Sequence, residues 1–191
     1  MMLPVNWIHR RLCRSQRWAR RMERVAVPFA LGDADLGGNV LEIGPGYGPT
    51  TRILARDVPG VTAVEVDPRL AARLGRVLSR DVAVVAGDGV ALPFRSESFT
   101  AVVCFTMLHH VPSAALQDRL FAEACRVLRP GGIFAGSDSQ PSLRFRAIHL
   151  FDTMVPVAPA DLPARLEAAG LSAVSVERRG RVLRFSARKH G

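Results

Sequence analysis

Val40-Leu41-Glu42-Ile43-Gly44-Pro45-Gly46-Tyr47-Gly48 decides the architecture: an apolar run passes straight into a turn with glycine at every second position, and Pro49 follows. The run (39–43) has the length and composition of a buried strand. Proline at the head of residues 49–56 reads as a helix start. Alternate glycines let the backbone bend sharply and let a ligand lie against it without meeting a Cβ. Glu65 stands twenty-one residues beyond Gly44, at the end of the next strand (61–66, VTAVEV). A carboxylate there can accept from two vicinal ribose hydroxyls. Dinucleotide sites carry G-x-G-x-x-G and set a pyrophosphate on the helix N-terminus. Gly44, Gly46 and Gly48 followed by Pro49 instead favour a nucleoside ligand without a pyrophosphate.

Working outward, the same alternation continues. Residues 82–86, 99–105 and 132–137 read as strands, and 68–79, 114–128 and 161–169 as helices, which predicts an α/β fold with a parallel sheet. Leu116, Leu120, Ala124 and Val127 give the 114–128 helix a buried stripe, and Arg129-Pro130-Gly131-Gly132 ends it. Asp67 reads as the N-cap of the helix opened by Pro68. After Gly170, residues 171–178 and 181–188 alternate as two strands joined across Arg179-Gly180, an antiparallel hairpin. Ahead of the sheet, 7–26 reads as one amphipathic helix. Ile8, Leu12, Ser15, Ala19, Met22 and Ala26 fall on one face, and Arg10, Arg14, Arg17, Arg21 and Arg24 line another. The chain thus divides into a basic N-terminal helix (1–30), a candidate cap, and a domain over 31–191.

With 191 residues, 48% of them hydrophobic, one domain can bury its core without disulfides or metal. Cys13, Cys104 and Cys125 match no zinc or redox spacing, which predicts a reducing compartment and a cytoplasmic protein. No apolar stretch approaches the ~18 residues of a membrane span. The first thirty residues lack the apolar block of a signal peptide, although their Arg-rich, acid-poor composition is also that of a transit segment. The net charge of +9 is uneven: residues 1–30 carry +6, 177–191 carry +5, and the body between them −2. Such a basic rim suits an acidic partner such as nucleic acid, anionic lipid or an acidic small molecule. It also suits a solvated face in an arginine-biased proteome, since 25 of the 26 basic residues are arginine.

The motifs together resemble the class I S-adenosylmethionine-dependent methyltransferases, in particular the small "type 11" group. The resemblance covers about 39–189 and is carried by VLEIGPGYG, AVEVDP (63–68), GDGVALPF (87–94), FTAVVCFTMLHHV (99–111) and RVLRPGG (126–132). It implies a Rossmann-like, doubly wound, seven-stranded sheet, mostly parallel, with a C-terminal antiparallel hairpin. It implies S-adenosylmethionine as cofactor, with its methionine part in the turn of Gly44, Pro45, Gly46 and Gly48. Glu42 would orient that turn, Glu65 hold the ribose, and Val66 flank the adenine. Asp88 would accept from the adenine amino group beside Gly89 and Val90, with Thr106 at the end of strand 99–105. One departure is Thr100, where relatives carry Asp after Phe. Another is the short chain, which leaves only the N-terminal helix and residues 139–160 to cover the acceptor.

Methyl transfer from a sulfonium is an in-line displacement that positioning accelerates, so no nucleophilic residue or metal is required. His109 and His110 follow strand 99–105 and are candidates for a general base or for a structural wall. His149, near Phe145, Phe151 and Asp152, is a weaker candidate. The expected acceptor is a small molecule or lipid, acidic groups on it being suited to the arginines, with peripheral contact to an anionic surface. AVEVDPRLAARL looks like the corresponding stretch of rRNA adenine dimethylases. Cys104-Phe105-Thr106-Met107, however, lacks the polar-proline-aromatic motif that grips a base, which disfavours RNA as substrate. A cofactor-binding partner module without catalysis is the other alternative.

Overall fold

The computed structural model describes residues 6–78, 82–150 and 152–191. A seven-stranded sheet runs in the order β3-β2-β1-β4-β5-β7-β6. Its strands are β1 (Asn39–Ile43), β2 (Gly60–Glu65), β3 (Val82–Ala86), β4 (Phe99–Phe105), β5 (Leu128–Ser139), β6 (Leu171–Arg179) and β7 (Val182–Lys189). The first five pair in parallel, and β7 joins β5 and β6 antiparallel, as the hairpin pattern predicts. The strand order reverses at β1 and β4, so the carboxyl ends of these parallel strands open a crevice at the switch point.

Both faces of the sheet are covered, and successive residues show it. Val40 packs with Val61, Ala101 and Ile133 on one side, while Leu41 packs with Val102, Phe134 and Phe185 on the other. The first side is covered by α3 (Val27–Leu31) and α4 (Pro49–Asp57), the second by α6 (Ala114–Val127) and α8 (Leu162–Ala168). Leu120, Ala124 and Val127 are buried as the stripe predicts, with Gln117 and Phe121 beside them, while Leu116 is half-buried. Helix α5 (Pro68–Val77) is capped by Asp67, whose carboxylate accepts from the Arg69 and Leu70 amides. Ser79, the last residue of the predicted 68–79 helix, and Phe151 lie outside the described residues.

One expectation is corrected. The N-terminal stretch is not one helix. It breaks into α1 (Trp7–Cys13), α2 (Gln16–Arg21), a π-helical turn (Met22–Ala26) and α3. Ser15, expected on the apolar face, instead caps α2 by accepting from the Trp18 amide. Pro28 cannot donate into the ladder and its ring clashes one turn back, and the helix widens just before it. Ile8 is exposed while its neighbour His9 is buried, so the face that α1 buries is a polar one. The departure at Thr100 has a structural counterpart. Its hydroxyl accepts from the Asn39 amide and lies within donating distance of the Leu36 and Asn39 carbonyls, tying β1 to β4 without an acid.

Candidate active site

The glycine turn leaves β1 with Gly44, Gly46 and Gly48 at φ +70°, +57° and +76°, all left-handed. At Gly46 a Cβ would meet no heavy atom within 4 Å, so the space above this residue is open. Glu65, at the tip of β2, is buried, and its two oxygens are placed by the chain: one accepts from the Gly46 amide and the other from the Asp67 amide, both at 3.1 Å. Each oxygen keeps a lone pair for a further donor. Val66 beside it is exposed. Beyond β3, the exposed Asp88 accepts from the Val90 amide at 3.1 Å. Gly89 is buried against Ile43 and Leu120, and Pro45 is buried within the turn.

Glu42 lies beneath the turn at 1% exposure. One of its oxygens accepts from the Thr50 hydroxyl at the start of α4; the other, Oε2, has no hydrogen-bond partner among the described residues. Thr106, at the end of β4, has φ +52° and donates its amide to the Ser137 carbonyl at 2.7 Å. Such a conformation in a β-branched residue is strained and persists where the surroundings hold it. Next to it, Met107 packs its side chain on Gly44 and leads into a single turn of 3-10 helix, Leu108–His110.

That turn places the two predicted histidines differently. His109 is 2% exposed, its amide donates to Asp138 Oδ2 at 2.9 Å, and its Nδ1 lies 2.5 Å from Asp138 Oδ1. His110 faces the Thr153 carbonyl through Nδ1 at 3.3 Å. His149 follows α7 (Leu143–Ile148), with its Nε2 3.2 Å from that of His109. The fourth ring is His9 of α1, stacked 5.0 Å from His110. The Asn6 side chain donates to the Ile148 and Leu150 carbonyls, and its amide donates to Asp152, which also meets His9. The two predicted cover segments, the N-terminal helix and residues 139–160, therefore pack on each other above the histidines.

The methyltransferase domain family matches residues 41–136, half of the chain. The chain belongs to the class I S-adenosylmethionine-dependent methyltransferases. Over 138 residues it is 37% identical to the demethylmenaquinone methyltransferase of Roseiflexus castenholzii, covering 69% of this chain and 57% of that one. Over 105 residues it is 33% identical to the 2-methyl-6-phytyl-1,4-hydroquinone methyltransferase of Synechocystis sp., covering 53% and 32%. The chain spans 53–62% of the length of the demethylmenaquinone methyltransferases it matches. A methyltransferase structure from Thermotoga maritima superposes with TM-score 0.73 over 95% of this chain and 98% of its own, at 20% identity, a likeness of fold.

The methyltransferase cofactor fits the residues present. The open space over Gly46 is a cradle that any side chain would enter, and Glu42, with the Thr50 and Thr51 hydroxyls beside it, keeps acceptor capacity at the turn. The paired oxygens of Glu65 suit two adjacent hydroxyls. Two residues of this methyltransferase site have no counterpart in the sequence motifs. His9 and Asp138 reach it only through packing, and no local signal marks His9 within its arginine-rich stretch. A cavity of about 210 Å³ opens beside the turn, between α2 and α4; Arg14, Tyr47, Arg52 and Arg56 line it with Glu23.

Burial sets the protonation of these groups. It pushes the Glu42 carboxyl up to about 7, opposed by the Thr50 hydroxyl, and it also raises Glu65. It holds the His110 ring down to about 2 and His149 down to about 4, with neighbouring rings adding to it, and it lowers His9. Glu42 gives a pH test. Its folded value exceeds the unfolded one, so its stabilisation is present at low pH and is lost as pH rises from about 4.5 to 7. The shift is equivalent to about 3 kcal/mol. The imidazoles act oppositely, destabilising as pH falls below about 6.5. The readout is therefore the difference between wild type and Glu42→Gln in urea midpoints without cofactor. Wild type should lose stability relative to the variant across that window; a constant difference contradicts the assignment.

Proposed function

We propose that this methyltransferase moves the methyl group of S-adenosylmethionine to a small-molecule or lipid acceptor, as a cytoplasmic enzyme. The observation that carries the reading is the open cradle at Gly46 held between two buried carboxylates, Glu42 and Glu65, next to the histidine turn. When bound, the cofactor supplies an electrophilic methyl on a sulfonium. The chain supplies placement. Glu65 holds vicinal hydroxyls, Asp88 accepts from the adenine amino group, Val66 flanks the ring, and Thr106 and Met107 bound the space toward the acceptor. His109, locked to Asp138 by two bonds, positions that wall. His110, a weak base at this burial, lines it.

Lipid acceptors are supported by two features. The curated relatives act on molecules named for demethylmenaquinone and a phytyl hydroquinone. In this chain, Trp7 and Ile8 of α1 and Leu143 and Leu150 of the α7 segment are exposed beside arginines. Exposed apolar side chains on segments that also carry arginines suit an anionic membrane surface. No described helix is long and apolar enough to cross a membrane. The free thiols Cys13, Cys104 and Cys125 support a reducing compartment.

Calorimetry with S-adenosylmethionine and its demethylated product tests the cofactor half of the proposal. Glu65→Ala should weaken binding by about 1–3 kcal/mol, the value of charge-assisted hydrogen bonds to the ribose together with the lost hold on the Gly46 amide. Equal affinity in a folded Glu65→Ala protein removes the ribose assignment. Absence of cofactor binding in the wild type removes the whole reading.

A further inference from the structure

His9, His110 and His149 each present one ring nitrogen, and the three nitrogens lie within 4.8 Å of one another. They arrive from α1, from the turn after β4 and from the end of α7. In every ring Nδ1 already faces an oxygen: Asp152 Oδ2 at 3.1 Å for His9, the Thr153 carbonyl at 3.3 Å for His110, and the Phe145 carbonyl at 2.8 Å for His149. Carbonyls and carboxylates only accept, so Nδ1 carries the N–H and Nε2 keeps the lone pair in all three. His109 repeats the pattern, with Nδ1 on Asp138 and Nε2 at 3.2 Å from His149 Nε2. Ring nitrogens from three elements thus share one largely buried space, where a positive charge would be well placed among them.

We propose that His9, His110 and His149 bind one divalent transition-metal ion of the zinc type through their Nε2 atoms. An oxygen partner on the far nitrogen is what orients and strengthens an imidazole ligand. Three neutral imidazoles select zinc, cobalt or nickel over magnesium or calcium. Metal–nitrogen bonds of ~2.0–2.1 Å set tetrahedral ligand nitrogens roughly 3.4 Å apart, so the widest pair closes by about 1.4 Å on binding. Three protein ligands leave a fourth position for water or a small oxygen ligand. The ion would tie α1 to the turn beside Gly44, stapling the two cover segments together.

The test uses the full-length protein without a histidine tag, stripped with chelator and titrated with Co²⁺ and Zn²⁺. Expected are one Co²⁺ per chain, visible absorption bands of four-coordinate intensity, displacement by Zn²⁺, and a higher Tm with Zn²⁺ but not with Mg²⁺. His9→Ala and His149→Ala should each lose affinity by about 100-fold or more, and Asp152→Asn by about 10–100-fold. Folded wild type that fails to bind Co²⁺ or Zn²⁺ stoichiometrically overturns the proposal, whatever the variants do. Unchanged affinity in a folded His9→Ala protein also overturns it. None of these readouts uses methyl transfer, so the result stands apart from the functional reading above.

Discussion

Gly46→Val should abolish S-adenosylmethionine binding and leave the protein folded. The expected calorimetric result is no heat of binding at ligand concentrations about 100-fold above the wild-type Kd, a penalty beyond about 2.7 kcal/mol. Two effects combine. A branched Cβ at φ +57° costs of order 1–3 kcal/mol in backbone strain, and the isopropyl group enters the space that the cofactor needs. The chain itself accommodates the atoms, because a Cβ at this position meets nothing within 4 Å. Gly48→Val is the contrasting control. There a Cβ would lie 2.7 Å from Leu74 Cδ2 in the core, so stability should fall as well as binding. Normal cofactor affinity in Gly46→Val would show that the cradle is not where the ligand lies.

The second large effect is expected on removing residues 1–14. Residues at the end of the N-terminal stretch belong to the fold: Met22 is 2% exposed and Ala26 5%, so a cut at 26 would damage the core. A cut after Arg14 removes α1 alone, with the Asn6 and His9 bonds to residues 148–152. The truncated protein should keep its fold and bind cofactor within about threefold of wild type. It should lose about 100-fold or more in acceptor turnover, the scale on which misplaced reactants slow a positioned reaction. Sedimentation with anionic vesicles should fall too, because Trp7, Ile8, Arg10 and Arg11 leave with the helix. Full turnover in the truncated protein would mean that α1 is not a cover for the acceptor.

Much of this was legible along the chain because its signals are local. The predicted strands at 39–43, 82–86 and 99–105 coincide with β1, β3 and β4, since a β-branched run between turn residues needs no distant partner to be read. Glycine at alternate positions and a carboxylate closing the next strand likewise mark the turn and Glu65 by spacing alone, and the structure brings the Gly46 amide onto that carboxylate. The 12-residue β5 runs longer than its predicted core because Leu128 pairs with Phe99 across a bulge in β4, a contact between separate segments.

The N-terminal stretch and the histidines depended on the tertiary structure. A helical period across 7–26 is real in the sequence. Whether Ser15 sits on a face or caps a new helix is a matter of where α1 must go to reach residues 148–152. His9 meets Asp152 across 143 positions, and His109 meets His149 across 40. No periodicity encodes such pairs, because each ring is placed by a different element and only the packed sheet sets those elements side by side. The glycine turn and the carboxylate that meets it were therefore determined by local sequence, whereas the docking of α1 on residues 148–152 and the convergence of four imidazoles were decided by packing.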